Sequence, residues 1–305
     1  MAYELIYTSA ERGLRPGTRG FCTVAHTRGI PPQYIQLMEA LSAYKGLHSS
    51  IDNMSDMQEP VSWSHLYSSI LGRGVSIISR IGATHPDHTG RSNKLAHHVA
   101  IQVRERVAPG PAWLCMQEGF LLDEWSDSPH LLDAQKSIPQ GNISSVQAQN
   151  WAELTGDAGN AAILADMFLA NPEGIVVILF QPGMEMLPLL AESLALLPET
   201  QRWKVTFNTY FSSLPAGSTC CWRCCLPDSD AYRDAKRNPR TKILDLTGGD
   251  LKSPSSELAD YARTGHRPEK KLVVPGQKKD IAGKFANTDG RGMNMLTLKP
   301  RKNMF

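Results

Sequence analysis

Four of the nine histidines, His85, His88, His97 and His98, fall within fourteen residues, and Asp87 stands among them. Imidazole and carboxylate suit zinc or iron, so His85, Asp87, His88 and His98 form a candidate set for a metal-dependent or acid-base enzyme. The spacing does not fix such a set. No H-E-x-x-H pair places two imidazoles on one helix face, and His85 and His88 lie in a proline-containing stretch ahead of a strand. Neither a Gly-x-Ser-x-Gly elbow nor a papain-like cysteine context is present, which argues against the common nucleophilic hydrolases. Arg91 and Asn93 are candidates of another kind, as binding residues on a recognition loop. Their alternative is loop anchoring, with Asn93 satisfying local backbone groups and Arg91 bonding a carboxylate or carbonyl.

The elements that position these residues follow from the pattern. Pro86, Asp87, Thr89, Gly90, Ser92 and Asn93 give the composition of an exposed turn-forming loop. From Leu95 the chain alternates with a period of two, which predicts a strand. Leu95, His97, Val99, Ile101 and Val103 form its core face, and Ala96, His98, Ala100 and Gln102 the opposite one. His97 is thereby expected as a structural core histidine with one ring nitrogen bonded to a neighbouring carbonyl. His98 joins Arg91 and Asn93 as a binding candidate.

Before this strand the pattern predicts a hairpin from Tyr3–Ser9 and Phe21–His26, then a helix opened by Pro31 and Pro32. Strands Trp63–Ile70 and Val75–Arg80 follow, joined through Gly72-Arg73-Gly74, and a helix from Pro111 through Gln117 comes after the histidine strand. The order β-β-α-β-β-β-α matches the longin and roadblock type of domain, a five-stranded antiparallel sheet backed by helices. Many such domains are platforms for small GTPases, but the match is analogy at the level of element order. Asp157 is the expected N-cap of a helix carrying Ile163, Leu164, Met167 and Phe168. Its segment fits neither G-x-G-x-x-G nor G-x-x-x-x-G-K-[ST], so no nucleotide cofactor is expected. Ile175–Phe180, a helix over Met184–Leu197 and Lys204–Phe211 read as a parallel βαβ unit, and Lys242–Leu246 as a last strand.

The fold class expected is therefore α+β. A longin-like lobe spans residues 1–130, a smaller α/β lobe residues 131–250, and a disordered basic tail residues 251–305. Residues 266–305 hold ten lysines and arginines against three acids, which leaves the other 265 residues at a net −5. That tail is the one stretch with a case for binding nucleic acid or an acidic surface. The opening MAYELIYTSAERG has neither a basic leader nor an apolar core segment, and no run is apolar enough to span a bilayer, so a cytoplasmic protein is expected.

Cys220, Cys221, Cys224 and Cys225 invite a zinc reading. In a strand, however, Cys220 and Cys224 share a face yet stand about 13 Å apart, four steps of ~3.3 Å, whereas zinc-bound sulfurs lie within roughly 4 Å. Buried, reduced core thiols without metal are expected.

Several stretches, YELIYTSAERGLRPGTRGFCTVAHTRG, HTGRSNKLAHHVA, LTGDAGNAA and WKVTFNTYF, resemble the bacterial GTPase-associated protein family, in particular its type 2 N-terminal domain, over about residues 1–247. The family motif G-R-x-N-x-[FL]-A-H falls on Gly90, Arg91, Asn93, Leu95, Ala96 and His97. The resemblance implies an adaptor or scaffold that binds a GTPase or another NTP-dependent component of a bacterial conflict or defence system. It brings no catalytic residue with it.

Overall fold

The computed structural model describes residues 2–44, 46, 59–70, 72–143, 147–248 and 251–267. Strands β1 (Tyr3–Ala10) and β2 (Gly20–Thr27) form an antiparallel hairpin, with a register shift between Ile6 and Tyr7. Helix α1 (Pro32–Leu41) starts at a proline, whose fixed φ and missing N–H suit a first helical turn. Tyr34, Ile35, Met38 and Leu41 recur at helical spacing and bury one face. Strands β3 (Ser62–Ile70) and β4 (Arg73–Thr84) are joined at Gly72, whose φ of +73° is a conformation that favours glycine. Strand β5 (Asn93–Gln102) follows, then α2 (Pro111–Cys115) and the short β6 (His130–Leu132).

The second run comprises α3 (Gln149–Thr155), α4 (Ala162–Ala170), β7 (Val176–Leu179), α5 (Met186–Leu196) and α6 (Glu199–Arg202). It continues with β8 (Phe207–Asn208), β9 (Trp222–Cys225), α7 (Asp230–Arg237), β10 (Lys242–Asp245) and α8 (Glu257–Thr264).

The strands of the two runs share one sheet. The ten described strands lie in the order β10-β7-β9-β8-β3-β4-β5-β1-β2-β6. The join is β8, which pairs antiparallel with β3 through Ser64 opposite Asn208 and His65 opposite Phe207. An open β3 edge would leave a row of unpaired backbone groups, and β8 covers part of it. The core is shared too, since Ile78, Val99 and Ile101 pack in one cluster with Trp222, Cys224 and the α4 and α5 side chains.

Three further expectations need correction. First, the βαβ unit is parallel, but β9 lies between β7 and β8 and pairs with both, so the cysteine-rich strand fills the gap inside the crossover. Cys221 and Cys224 pack on one side of the sheet and Cys220 and Cys225 on the other, because Cys220 and Cys221 precede the regular strand and break its alternation. Second, β5 has two core faces rather than the one expected. The sheet is covered on both sides, by α2 to α5 and α8 on one and by α1 and α7 on the other, so Ala96, His98 and Ala100 are as buried as Leu95, His97 and Val99. Val103 lies past the strand end and is exposed. Third, residues 257–264, expected as disordered tail, form α8, whose Ala259, Tyr261 and Ala262 join the core. The remaining basic tail, residues 268–305, and the nucleic-acid reading placed on it lie outside the described residues.

Candidate functional site

The loop between β4 and β5 is built around one carboxylate. Asp87 Oδ1 accepts hydrogen bonds from the Thr89 amide at 2.8 Å, the Thr89 hydroxyl at 2.6 Å and the Arg91 amide at 3.2 Å. Its Oδ2 accepts from the Ser9 hydroxyl at 2.9 Å, which ties the loop to the end of β1. Donation from Thr89 first, and then from Ser9 and the Arg91 amide, outweighs desolvation and holds the Asp87 carboxyl well below the usual aspartate value. The backbone closes on itself through Asp87 N–H to Arg91 O at 2.9 Å and Gly90 N–H to Asp87 O at 2.8 Å, with Gly90 at φ +77°. A side chain at that φ would be strained, which accounts for the glycine before Arg91.

Asn93 anchors the other end. Its Oδ1 accepts from the Ser9 amide at 3.1 Å and the Lys94 amide at 2.8 Å. Arg91 and Ser92 are exposed, and no carboxylate among the described residues pairs with the Arg91 guanidinium. His88 is exposed as well, while His85 Nε2 lies 3.2 Å from Glu124 Oε2 on the open surface. Beside the loop a groove of about 190 Å³ runs between the end of β1 and Trp125 to Pro129, where the Trp125 and His130 rings stack at 5.4 Å.

The two strand histidines do not face this groove. His97 Nδ1 accepts the Leu122 amide proton at 2.8 Å, so the ring proton sits on Nε2 and is donated to Glu4 Oε2 at 3.0 Å. Its partners are a backbone amide and a carboxylate, not the carbonyl expected. Burial keeps the His97 imidazole neutral below its ordinary pKa. Burial alone would raise the Glu4 carboxyl, but the bond from His97 and the Lys136 ammonium at 3.2 Å prevail and hold it low.

His98 lies on the opposite side of the sheet. Ser42 spends its proton on Met38 O at 2.9 Å, so its oxygen accepts from His98 Nε2 at 2.9 Å, while Nδ1 takes the Ser79 hydroxyl at 2.7 Å. Burial, reinforced by the neighbouring His97, pushes the imidazole down to about 3. The grouping of His98 with His85, Asp87 and His88 as ligands is therefore corrected: strand alternation turns it away from the loop, and both its nitrogens are engaged. Among the described residues no group of three or more His, Cys, Asp or Glu side chains is placed to hold a metal.

Asp157 caps the 3-10 turn Ala158–Ala161 through Gly159 N–H at 2.8 Å and leads into α4. The sequence reading overlooked Arg80, whose guanidinium carbon lies 5.4 Å from the centre of the Trp63 ring. It also overlooked His65, buried between Val205 O and Ser76 Oγ, where burial pushes its imidazole to about 3. Alternation within β3 and β4 was the available signal for both.

Two family models match the chain: GTPase-associated protein 1, N-terminal domain type 2, over residues 1–138, and GTPase-associated protein 1, middle domain, over residues 148–248. The second run of elements from α3 to β10, expected as part of the N-terminal domain, thus matches the middle domain, and α8 lies beyond the match. No curated protein and no solved structure matches.

Proposed function

The chain belongs to the GTPase-associated protein 1 family, and from that premise we propose that it is a non-catalytic adaptor that binds a GTPase or related NTP-dependent protein through the loop of residues 84–93. The observation that carries this reading is the loop itself. Asp87 and Asn93 spend their oxygens on fixing the loop backbone, and the Arg91 side chain projects exposed from it. A pre-ordered loop backbone loses less freedom on docking than a flexible one, and the planar fork of Arg91 suits carboxylate or phosphate groups. The imidazoles of His97 and His98 are engaged in the core and held neutral, which leaves them no role on this surface.

In the same reading the strands in the order β3-β4-β5-β1-β2, all antiparallel, with α1 on one face, make a longin-like platform. A bacterial conflict or defence system and a cytoplasmic setting belong to the proposal as well. No described helix is long and apolar enough to cross a membrane, which is compatible with that setting.

The test is co-purification from the source organism, with a non-hydrolysable GTP analogue or with GDP. A GTPase retained in a nucleotide-dependent way by the wild-type chain, and lost by Arg91→Ala, supports the adaptor. Retention indifferent to both nucleotide and Arg91 would sink it.

A further inference from the structure

A second surface, made of other residues, has a different chemistry. Between the turn after α2 and the turn before α5 lies a cleft of about 830 Å³, in the range of about 300–1,000 Å³ that accommodates several side chains of a ligand. Its apolar lining includes Trp63, Met116, Phe180, Met184 and Met186. Met116 is half exposed, an unbranched apolar side chain presented to solvent. Thioether side chains repack around differing apolar shapes, and an open apolar surface of this kind marks a binding groove.

The rim is acidic. Glu118, Asp123 and Glu185 all stand exposed around the cleft, and no ion pair engages any of them among the described residues. Arg80 is the one cation among the described residues that line it, and it faces inward: its guanidinium stacks on Trp63, and Nη1 donates to Leu122 O at 3.5 Å. Burial lowers the pKa of that guanidinium against the opposing pull of Asp123, and three exposed carboxylates around one inward-facing cation leave the rim negative. A nucleotide or other polyanion would be repelled here. A ligand that complements both properties has lysines or arginines to meet the rim and bulky apolar side chains to enter the methionine-lined floor.

We propose that this cleft is a docking site for a basic amphipathic segment of a partner protein. The proposal does not depend on the partner of the 84–93 loop being a GTPase.

The probe is a fluorescein-labelled peptide of about 16 residues, roughly four helical turns, with leucines along one face and lysines on the other. A counterpart carries glutamate for every lysine. Full-length protein should bind the basic peptide with an affinity that falls as salt rises, and bind the acidic one at least about tenfold more weakly. The triple variant Glu118→Lys, Asp123→Lys, Glu185→Lys should lose the basic peptide by at least about tenfold, a loss near 1.4 kcal/mol. Methyl-labelled methionine NMR on the wild-type chain gives a readout independent of any variant. The Met116 and Met184 signals should shift on titration with the basic peptide. Equal or tighter binding of the acidic peptide, undiminished binding by the folded triple variant, no binding below about 1 mM, or unshifted Met116 and Met184 signals at saturation would each overturn the proposal.

Discussion

Arg263 reaches across 106 residues of chain to grip Asp157 with two parallel hydrogen bonds, Nε to Oδ1 at 2.9 Å and Nη2 to Oδ2 at 2.8 Å. The same carboxylate caps the turn that starts α4, and the same guanidinium donates to Pro254 O at 3.0 Å. One ion pair therefore locks the last described helix to the start of an earlier one. Arg263→Ala should cost about 1–2 kcal/mol, since a bidentate, partly buried pair exceeds an exposed one. A chain ending after Arg267 keeps this pair and the buried Tyr261, whereas one ending after Thr247 loses both. The shorter chain should melt several degrees lower, as expected for about 2–3 kcal/mol of lost aromatic burial alone. Equal melting temperatures would mean that α8 contributes nothing.

Buried neutral imidazoles make stability depend on mild acid. His65 and His98 both titrate near 3 in the folded chain, and His97 is shifted in the same direction. Unfolded, each binds a proton near about pH 6.5. The unfolded state therefore holds more protons than the folded one below that pH, and stability present above it is lost as pH falls from about 6.5 toward 3. His65 and His98 together should give a slope of about 2.5 kcal/mol per pH unit between roughly pH 6 and 5, with His97 adding in the same sense. Denaturant titrations at stepped pH measure it. His98→Gln should flatten the slope by about 1.4 kcal/mol per pH unit whatever its effect at neutral pH. An unchanged slope would show that His98 is not buried neutral.

The local periods of this chain were legible because they report neighbours in sequence. Tyr34, Met38 and Leu41 gave α1, and the alternation at 95–101 gave β5. The proline and glycine punctuation gave the turn at Gly72. The reading missed what depends on distant pairing. Nothing in Phe207 and Asn208 announces that they complete the edge of β3 from 140 residues away, nor does Trp222–Cys225 announce that it inserts between two other strands. Alternation placed His98 opposite His97 but could not tell that α1 covers that side and buries the binding candidate His98 as deeply as His97. In ELADYART the buried Ala259, Tyr261 and Ala262 offer only one large apolar side chain, too weak a stripe to outweigh the basic composition around it. The cleft near Arg80 is assembled from both runs and has no sequence signature.

The thiols offer a chemical check on the inserted strand. All six cysteines are free and buried; burial raises the thiols of Cys220 and Cys224 well above the ordinary value and that of Cys225 to about 12. Thiolate is the reactive form, so the native chain should react with Ellman's reagent slowly and the denatured chain quickly at all six. Rapid native labelling at any of the four clustered positions would contradict the burial of β9 and of the two cysteines that precede it.

The loop of residues 84–93 and the strand behind it should fail in separable ways. His97→Ala removes a ring that satisfies both Glu4 and the Leu122 amide, so a part-buried N–H loses its acceptor at a cost of about 1–3 kcal/mol, with a cavity added. Any loss of partner retention should then track the fraction unfolded. Arg91→Ala touches an exposed guanidinium and should change stability by about 0.5 kcal/mol or less while weakening retention of the partner. Asp87→Ala is the discriminating variant, because it leaves Arg91 in place but releases the Thr89 and Arg91 amides and the Ser9 hydroxyl that aim it. Asp87→Asn keeps an acceptor oxygen for those donors and should restore part of the retention that Asp87→Ala loses. If Asp87→Ala retains partner as well as wild type while Arg91→Ala does not, the loop's order is irrelevant and only the charge matters. If neither changes retention at unchanged stability, recognition lies elsewhere on the chain, and the loop is a well-built connection between β4 and β5.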